Sequence, residues 1–166
     1  MEYLGLYDKN GNDTGEKIIR THDKKNVPEG KYIKLVLIFI KNSEDKFLFQ
    51  LTSKEKDGKI ATTGGHVQAG QSSIEAIYAE VSEELGIDIK NDNMKFIGSY
   101  FRGCAIVDVY YLEKDLDINN LTLQKEEVDS VNWYTVLELE NLIEKDTLRK
   151  GNIDGLNMIL DYLKRK

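Results

Sequence analysis

The chain has 166 residues, a formal net charge of −6, two histidines and one cysteine, Cys104, so no internal disulfide can form. This length fits a single domain, residues 1–166, that buries about 70% of its unfolded surface, and the acidic balance argues against a surface that coats a nucleic-acid polymer. No apolar run approaches membrane-spanning length and MEYLGLYDKNGND lacks a basic-then-apolar signal, so the expected setting is a reducing cytoplasm with no membrane partner.

In chain order, residues 2–7 and 16–20 predict a hairpin around Asn10–Gly11, making an N-terminal unit of about 2–20. His22 just after it reads as a surface residue. Residues 32–40 are the most apolar strand, and the polar turn Asn42–Asp45 leads to a partner strand, Lys46–Leu51. Lys54 and Lys56 read as ordinary surface lysines. A short strand near Lys59–Thr62 delivers a glycine loop containing Gly64, Gly65 and Gly70, and a helix follows. Further strands are expected near Met94–Phe101, Ala105–Leu112 and Ser130–Tyr134. Tyr100, Phe101 and Trp133 read as core aromatics and Cys104 as a small core residue. Thr135 and Glu138 have capping-box spacing for a helix with Leu137, Leu142 and Ile143 on one side. A last helix, about Ile153–Leu163, repeats Ile153, Leu156, Leu160 and Leu163 before Lys164–Arg165–Lys166.

The helix after the glycines carries the chemistry. Ser72 and Glu75 have capping-box spacing, and Gly86 supplies a left-handed stop with Ile87 packing back on Val81. At about 100° per residue, Ile74, Ile77, Val81 and Leu85 form a core-facing stripe. Glu80, Glu83 and Glu84 crowd the last turn on the other side, with no Lys or Arg on the helix. Like charges three and four apart repel by roughly 0.2–0.5 kcal/mol per pair, and a helix C-terminus already favours cations. The unanswered charge points to a divalent cation, or a cation with a phosphate, as the missing partner.

Residues 65–87 resemble the Nudix box, G-x5-E-x7-R-E-U-x-E-E-x-G-U with U aliphatic. Gly65, Glu80, Val81, Glu83, Glu84, Gly86 and Ile87 match in place, whereas Gln71 stands for the first Glu and Ala79 for the Arg. In the family those two side chains pair, so losing both leaves no orphaned charge. The resemblance implies an α/β/α sandwich with a mixed β-sheet between helices. It also implies Mg2+-dependent (or Mn2+-dependent) hydrolysis of a pyrophosphate bond in a nucleoside diphosphate linked to another moiety, X. Carried over residue by residue, Glu80, Glu83 and Glu84 are metal-associated, with the Gly64 carbonyl a further ligand. The general base is drawn from Glu80, or from Glu126 or Glu127 in QKEEVDS, a loop that otherwise reads as a solvated acidic turn. His66 and Arg102 are candidate substrate contacts, against a structural histidine and an exposed turn arginine as the plain readings. Dimers are common among resembling proteins.

The stretch through GGHVQAG also resembles the branch containing isopentenyl-diphosphate isomerases. Gly64 occupies their cysteine position, and two histidines are too few for their metal set. Two function classes remain besides that weaker one: a pyrophosphohydrolase acting on a small diphosphate, and a non-catalytic nucleotide-binding module. The intact glutamates favour the hydrolase.

Overall fold

The computed structural model describes residues 1–21 and 26–165; His22 lies outside the described residues. Strands β1 (Tyr3–Tyr7) and β2 (Asp13–Ile19) form the expected antiparallel hairpin. Its turn is fastened by Asp8, whose Oδ1 accepts the N–H of Asn10 and Asn12 at 2.8 and 3.0 Å. The chain then runs through β3 (Ile33–Lys41), β4 (Phe47–Thr52), β5 (Ile60–Ala61), β6 (Thr63–His66) and helix α1 (Ser73–Leu85). Strands β7 (Lys95–Arg102), β8 (Ala105–Glu113) and β9 (Val128–Tyr134) follow, then helices α2 (Val136–Glu144) and α3 (Ile153–Lys164).

The main sheet is mixed. Strand β3 runs parallel to β8 and antiparallel to β6, and β8 is antiparallel to β7. The continuous apolar run of β3 follows from burial on both faces. Val36, Ile38 and Ile40 pack with Ile77, Val81 and Leu85 of α1, whereas Leu37 and Phe39 pack with Leu139 of α2 and Leu156 and Ile159 of α3. This is the expected α/β Nudix architecture. Among the described residues no helix is long and apolar enough to cross a membrane.

One departure from regular pairing creates the site. The β3–β4 hairpin is pinned by Asn42, whose Oδ1 accepts the N–H of Glu44 and Lys46 at 3.0 Å each. Beyond the Lys41–Phe47 pair the two strands part. Strand β3 takes β6 as its neighbour, whereas β4 takes β5 and β9. The sheet therefore opens into a fork, and α1 delivers its acidic end there.

Three expectations need correction. Gly64 and Gly65 lie within β6, paired with Leu37 and Val36, and not in a loop. The sequence reading followed the glycines' low strand preference; the ladder on the buried face of β3 overrides it. On α1, Ile74 is 42% exposed whereas Ala76 is buried, because the first turn overhangs the sheet. Glu84 is 3% exposed, so the acidic side of α1 is not a solvated face. On α2, Leu139 is buried and Leu137 is exposed, rotating the expected apolar side. Both capping boxes, Ser72/Glu75 and Thr135/Glu138, and the left-handed Gly86 stop form as read.

Candidate functional site

The fork opens into a cleft of about 950 Å3 lined by residues from β3, β4, β6, α1 and the loops before β9 and α3. Glu80 and Glu84, one turn apart on α1, project into it. Two glycines allow close packing around them, Gly64 against β3 and Gly65 against Glu80. A β-carbon on Gly64 would strike the Val36 carbonyl, and one on Gly65 would strike the Glu80 carboxyl. Gly65 thus makes room for a carboxylate against β6.

Glu84 is held from the other prong. Gln50 of β4 donates from Nε2 to Glu84 Oε1 at 3.0 Å, and Thr63 of β6 donates its hydroxyl to Gln50 Oε1 at 3.1 Å. The loop before β9 is stitched to the end of α1 by Gln124 N–H to the Glu84 carbonyl and Thr122 N–H to the Leu85 carbonyl, both 3.2 Å. Ser53 N–H donates to the Glu127 carbonyl at 3.0 Å. These ties bring the Glu127 side chain into the cleft, where it forms an ion pair with Lys56.

The charge is poorly balanced. Desolvation by burial, reinforced by the charges of Glu84 and Glu83, pushes the Glu80 carboxyl up to about 8. Burial also raises Glu84, although the Gln50 hydrogen bond and the Lys56 charge oppose the rise. A half-buried and a buried carboxylate facing one another favour a cation between them. Among the described residues no three His, Cys, Asp or Glu side chains gather at one point. Magnesium uses one or two carboxylates and leaves its other positions to water and phosphate oxygens, so the pair with its glycine cradle fits a hard divalent ion.

The other sequence-read residues are scattered around this pair. Glu83 is exposed at the cleft rim and adds to the negative field at Glu80. Gly64 and the half-buried His66 line the wall made by β6. Arg102 ends β7 with its guanidinium beside Gly151, where a β-carbon would sit 3.3 Å from Nε. Glu126 is exposed, and Glu127 is the one of that pair lining the cleft. Gln71 accepts the Gln68 N–H at 3.0 Å, closing its own turn, and Ala79 is half-buried.

Several residues were misread or missed. Lys56 is exposed as read, but it also lines the cleft and pairs with Glu127, which the sequence reading missed. Cys104 is half-buried on the cleft wall and not in the core. Phe101 is 56% exposed, tilted against Tyr32 at a ring separation of 5.2 Å, because β7 is an edge strand. Tyr100 and Trp133 pack against the cores as read. Gln50 was missed, although a lone amide within FLFQLT signals a buried polar partner. Arg149 and Asn152 had no such signal. Arg149 forks onto Asp57 at 2.8 and 3.0 Å, holding that carboxyl well below the usual carboxylate range. Asn152 Oδ1 accepts the Thr62 N–H at 2.8 Å.

Known proteins share this arrangement. The NUDIX domain family model matches residues 31–154. An uncharacterised Nudix hydrolase of Listeria monocytogenes is 34% identical over 148 residues, covering 86% of this chain and 85% of that protein. One of Listeria innocua is 33% identical over 138 residues, covering 79% and 80%. The crystal structure of DR0079 from Deinococcus radiodurans matches with a TM-score of 0.78 at 22% identity, covering 95% of this chain and 97% of that one. The family match spans most of the chain and takes in the fork, the glycine strand and the acidic helix: this chain belongs to the Nudix family and is a hydrolase, with pyrophosphate-bond hydrolysis the family's general reaction.

Proposed function

We propose that the chain is a Mg2+-dependent pyrophosphohydrolase acting on a small nucleoside diphosphate linked to a moiety X, with Mn2+ able to replace Mg2+. The observation that carries this is the pair of half-buried Glu80 and buried Glu84, both carboxyls pushed up by desolvation, Glu80 also by the Glu84 charge. A solvated helix end would not bury acids without basic partners.

Glu80 and Glu84 would hold the cation, with the Gly64 carbonyl as a further oxygen and Glu83 as an outer negative charge. When bound, the cation neutralises the diphosphate, polarises phosphorus and acidifies water. Phosphoryl transfer then needs positioning and charge stabilisation more than a covalent nucleophile. Glu127 reaches the cleft without being needed as a ligand and pairs there with Lys56. We assign it the attacking water's proton. His66 and Arg102 line the continuation of the cleft along β3. The strand registers Leu37–Gly64, Ile33–Ala105 and Ala105–Arg102 set Arg102 about 13 Å from Gly64 along the strand direction and three strands away across the sheet. A diphosphate at the glutamates therefore leaves X lying over Leu35 and Val107, with Arg102 at its far end.

The test is a panel of nucleoside diphosphate derivatives with Mg2+ or Mn2+, read by phosphate-bond cleavage. Cleavage of at least one compound, lost in Glu84→Gln while the fold is kept, is expected. Nucleotide binding without cleavage across the panel would instead favour the binding-module reading. The lost Gln71/Ala79 pair is the feature that keeps that reading in play, because it removes a loop-to-helix tie.

A further inference from the structure

We infer that Gln50 and Thr63 form a hydrogen-bond relay that positions Glu84 as a ligand of the cation. The inference rests on the proposed role of Glu84 as a ligand. Gln50, Thr63 and Glu84 are 4%, 5% and 3% exposed and belong to three different elements, β4, β6 and α1. Strands β4 and β6 do not pair here, because the fork separates them. The amide of Gln50 therefore spans the fork and joins both prongs to the helix.

The relay has a direction. A carboxylate can only accept, so the Gln50 NH2 must face Glu84. The amide oxygen then faces Thr63, whose hydroxyl can rotate to donate. With the amide reversed, its oxygen would meet the Glu84 oxygen, and a buried acceptor pair would remain unmet. The acceptor-only Glu84 carboxylate thus selects the amide orientation, and Thr63 satisfies the amide oxygen turned away from it. The 3.0 Å bond occupies Oε1 of Glu84 and leaves its other oxygen for the cleft. The Glu80 carboxyl fills the space that the missing β-carbon of Gly65 leaves.

Partners of metal ligands typically change affinity by about 10–100-fold when removed. Mg2+ alone, titrated calorimetrically into the full chain, reads this without turnover, and thermal melting is followed in parallel. Gln50→Leu is expected to weaken Mg2+ binding about tenfold. Thr63→Val is expected to weaken it about threefold, because the amide can still sample the right orientation, and Thr63→Ser should restore it. The double variant Gln50→Leu/Thr63→Val should bind no worse than Gln50→Leu alone, because Thr63 acts through Gln50. A role limited to packing would lower the melting temperature of these variants and leave Mg2+ affinity untouched, which overturns the relay. Losses that multiply in the double variant overturn it too. Should Gln50→Leu fail to fold, the comparison of Thr63→Val with Thr63→Ser decides alone, and equal affinities refute the relay. If the unmodified chain binds no Mg2+, the proposed function fails first. Tight binding by both the unmodified chain and Gln50→Leu removes the relay and leaves that function standing.

Discussion

Among the described residues, acids are buried in two places and treated differently. Asp108 of β8 is 4% exposed and fully answered. Its Oδ2 accepts from Ser73 at 2.7 Å, its Oδ1 accepts from Ser99 at 2.6 Å, and Lys34 Nζ lies 3.4 Å from Oδ2. These partners come from α1, β7 and β3, so Asp108 ties the start of the helix to the sheet. At the other end of the same helix, Glu80 and Glu84 face each other with one amide donor and a lysine that is itself paired to Glu127. A buried charge with a complete set of partners specifies structure. An under-partnered acid pair favours binding a cation.

Substitutions at the two sites should therefore separate activity from stability. The largest effect is expected for Glu84→Gln, which should lower Mg2+-dependent turnover by at least about 10³-fold, an oxygen ligand being lost at the charge-stabilising ion. Its circular dichroism and melting profile should stay native; undiminished turnover would falsify the metal assignment. Asp108→Ala should do the opposite. Leaving Lys34 buried without its partner costs about 3 kcal/mol, or a melting temperature lower by roughly 10 °C, with the remaining folded fraction still active. A melting temperature unchanged by Asp108→Ala would erase the contrast between the two acids. Glu127→Gln sharpens the assignment within the cleft. It should reduce kcat about 10²-fold with little change in Mg2+ affinity, and a loss of affinity instead would make Glu127 a ligand.

A smaller effect comes from pH. Glu80 is raised from 4.5 to about 8 in the folded chain, so between those values the folded state holds a proton that the unfolded state has released. The metal-free protein should lose stability as pH rises through that window. Mg2+ must displace the same proton, so its affinity should climb with pH and level off above about 8. Calorimetry at several pH values checks both, and a flat affinity profile would contradict the incomplete site. The smallest effect concerns the turn before α1. Gln71 already closes its own turn onto Gln68. Gln71→Glu with Ala79→Arg should be tolerated better than either change alone, by a few tenths of a kcal/mol, and strictly additive melting shifts would argue against coupling.

Much of this was legible without coordinates because it is local. Capping boxes at Ser72 and Thr135, the Gly86 stop, the Asn10–Gly11 turn and the apolar run of β3 depend on neighbours a few residues apart. The spacing of Glu80, Glu83 and Glu84 likewise follows from the helical period alone. The fork was not legible. It arises where β3 exchanges β4 for β6, and a strand's choice of partner depends on residues far away in sequence. For the same reason Gln50, Lys56 and Glu127 meet around the acidic pair only after folding, being drawn from segments separated by up to 77 positions. Sequence by itself determined which helix would carry the negative charge and where it would stop, because period and capping act over one or two turns. Tertiary structure decided which of those charges would be buried, since desolvation depends on what the rest of the chain stacks against them.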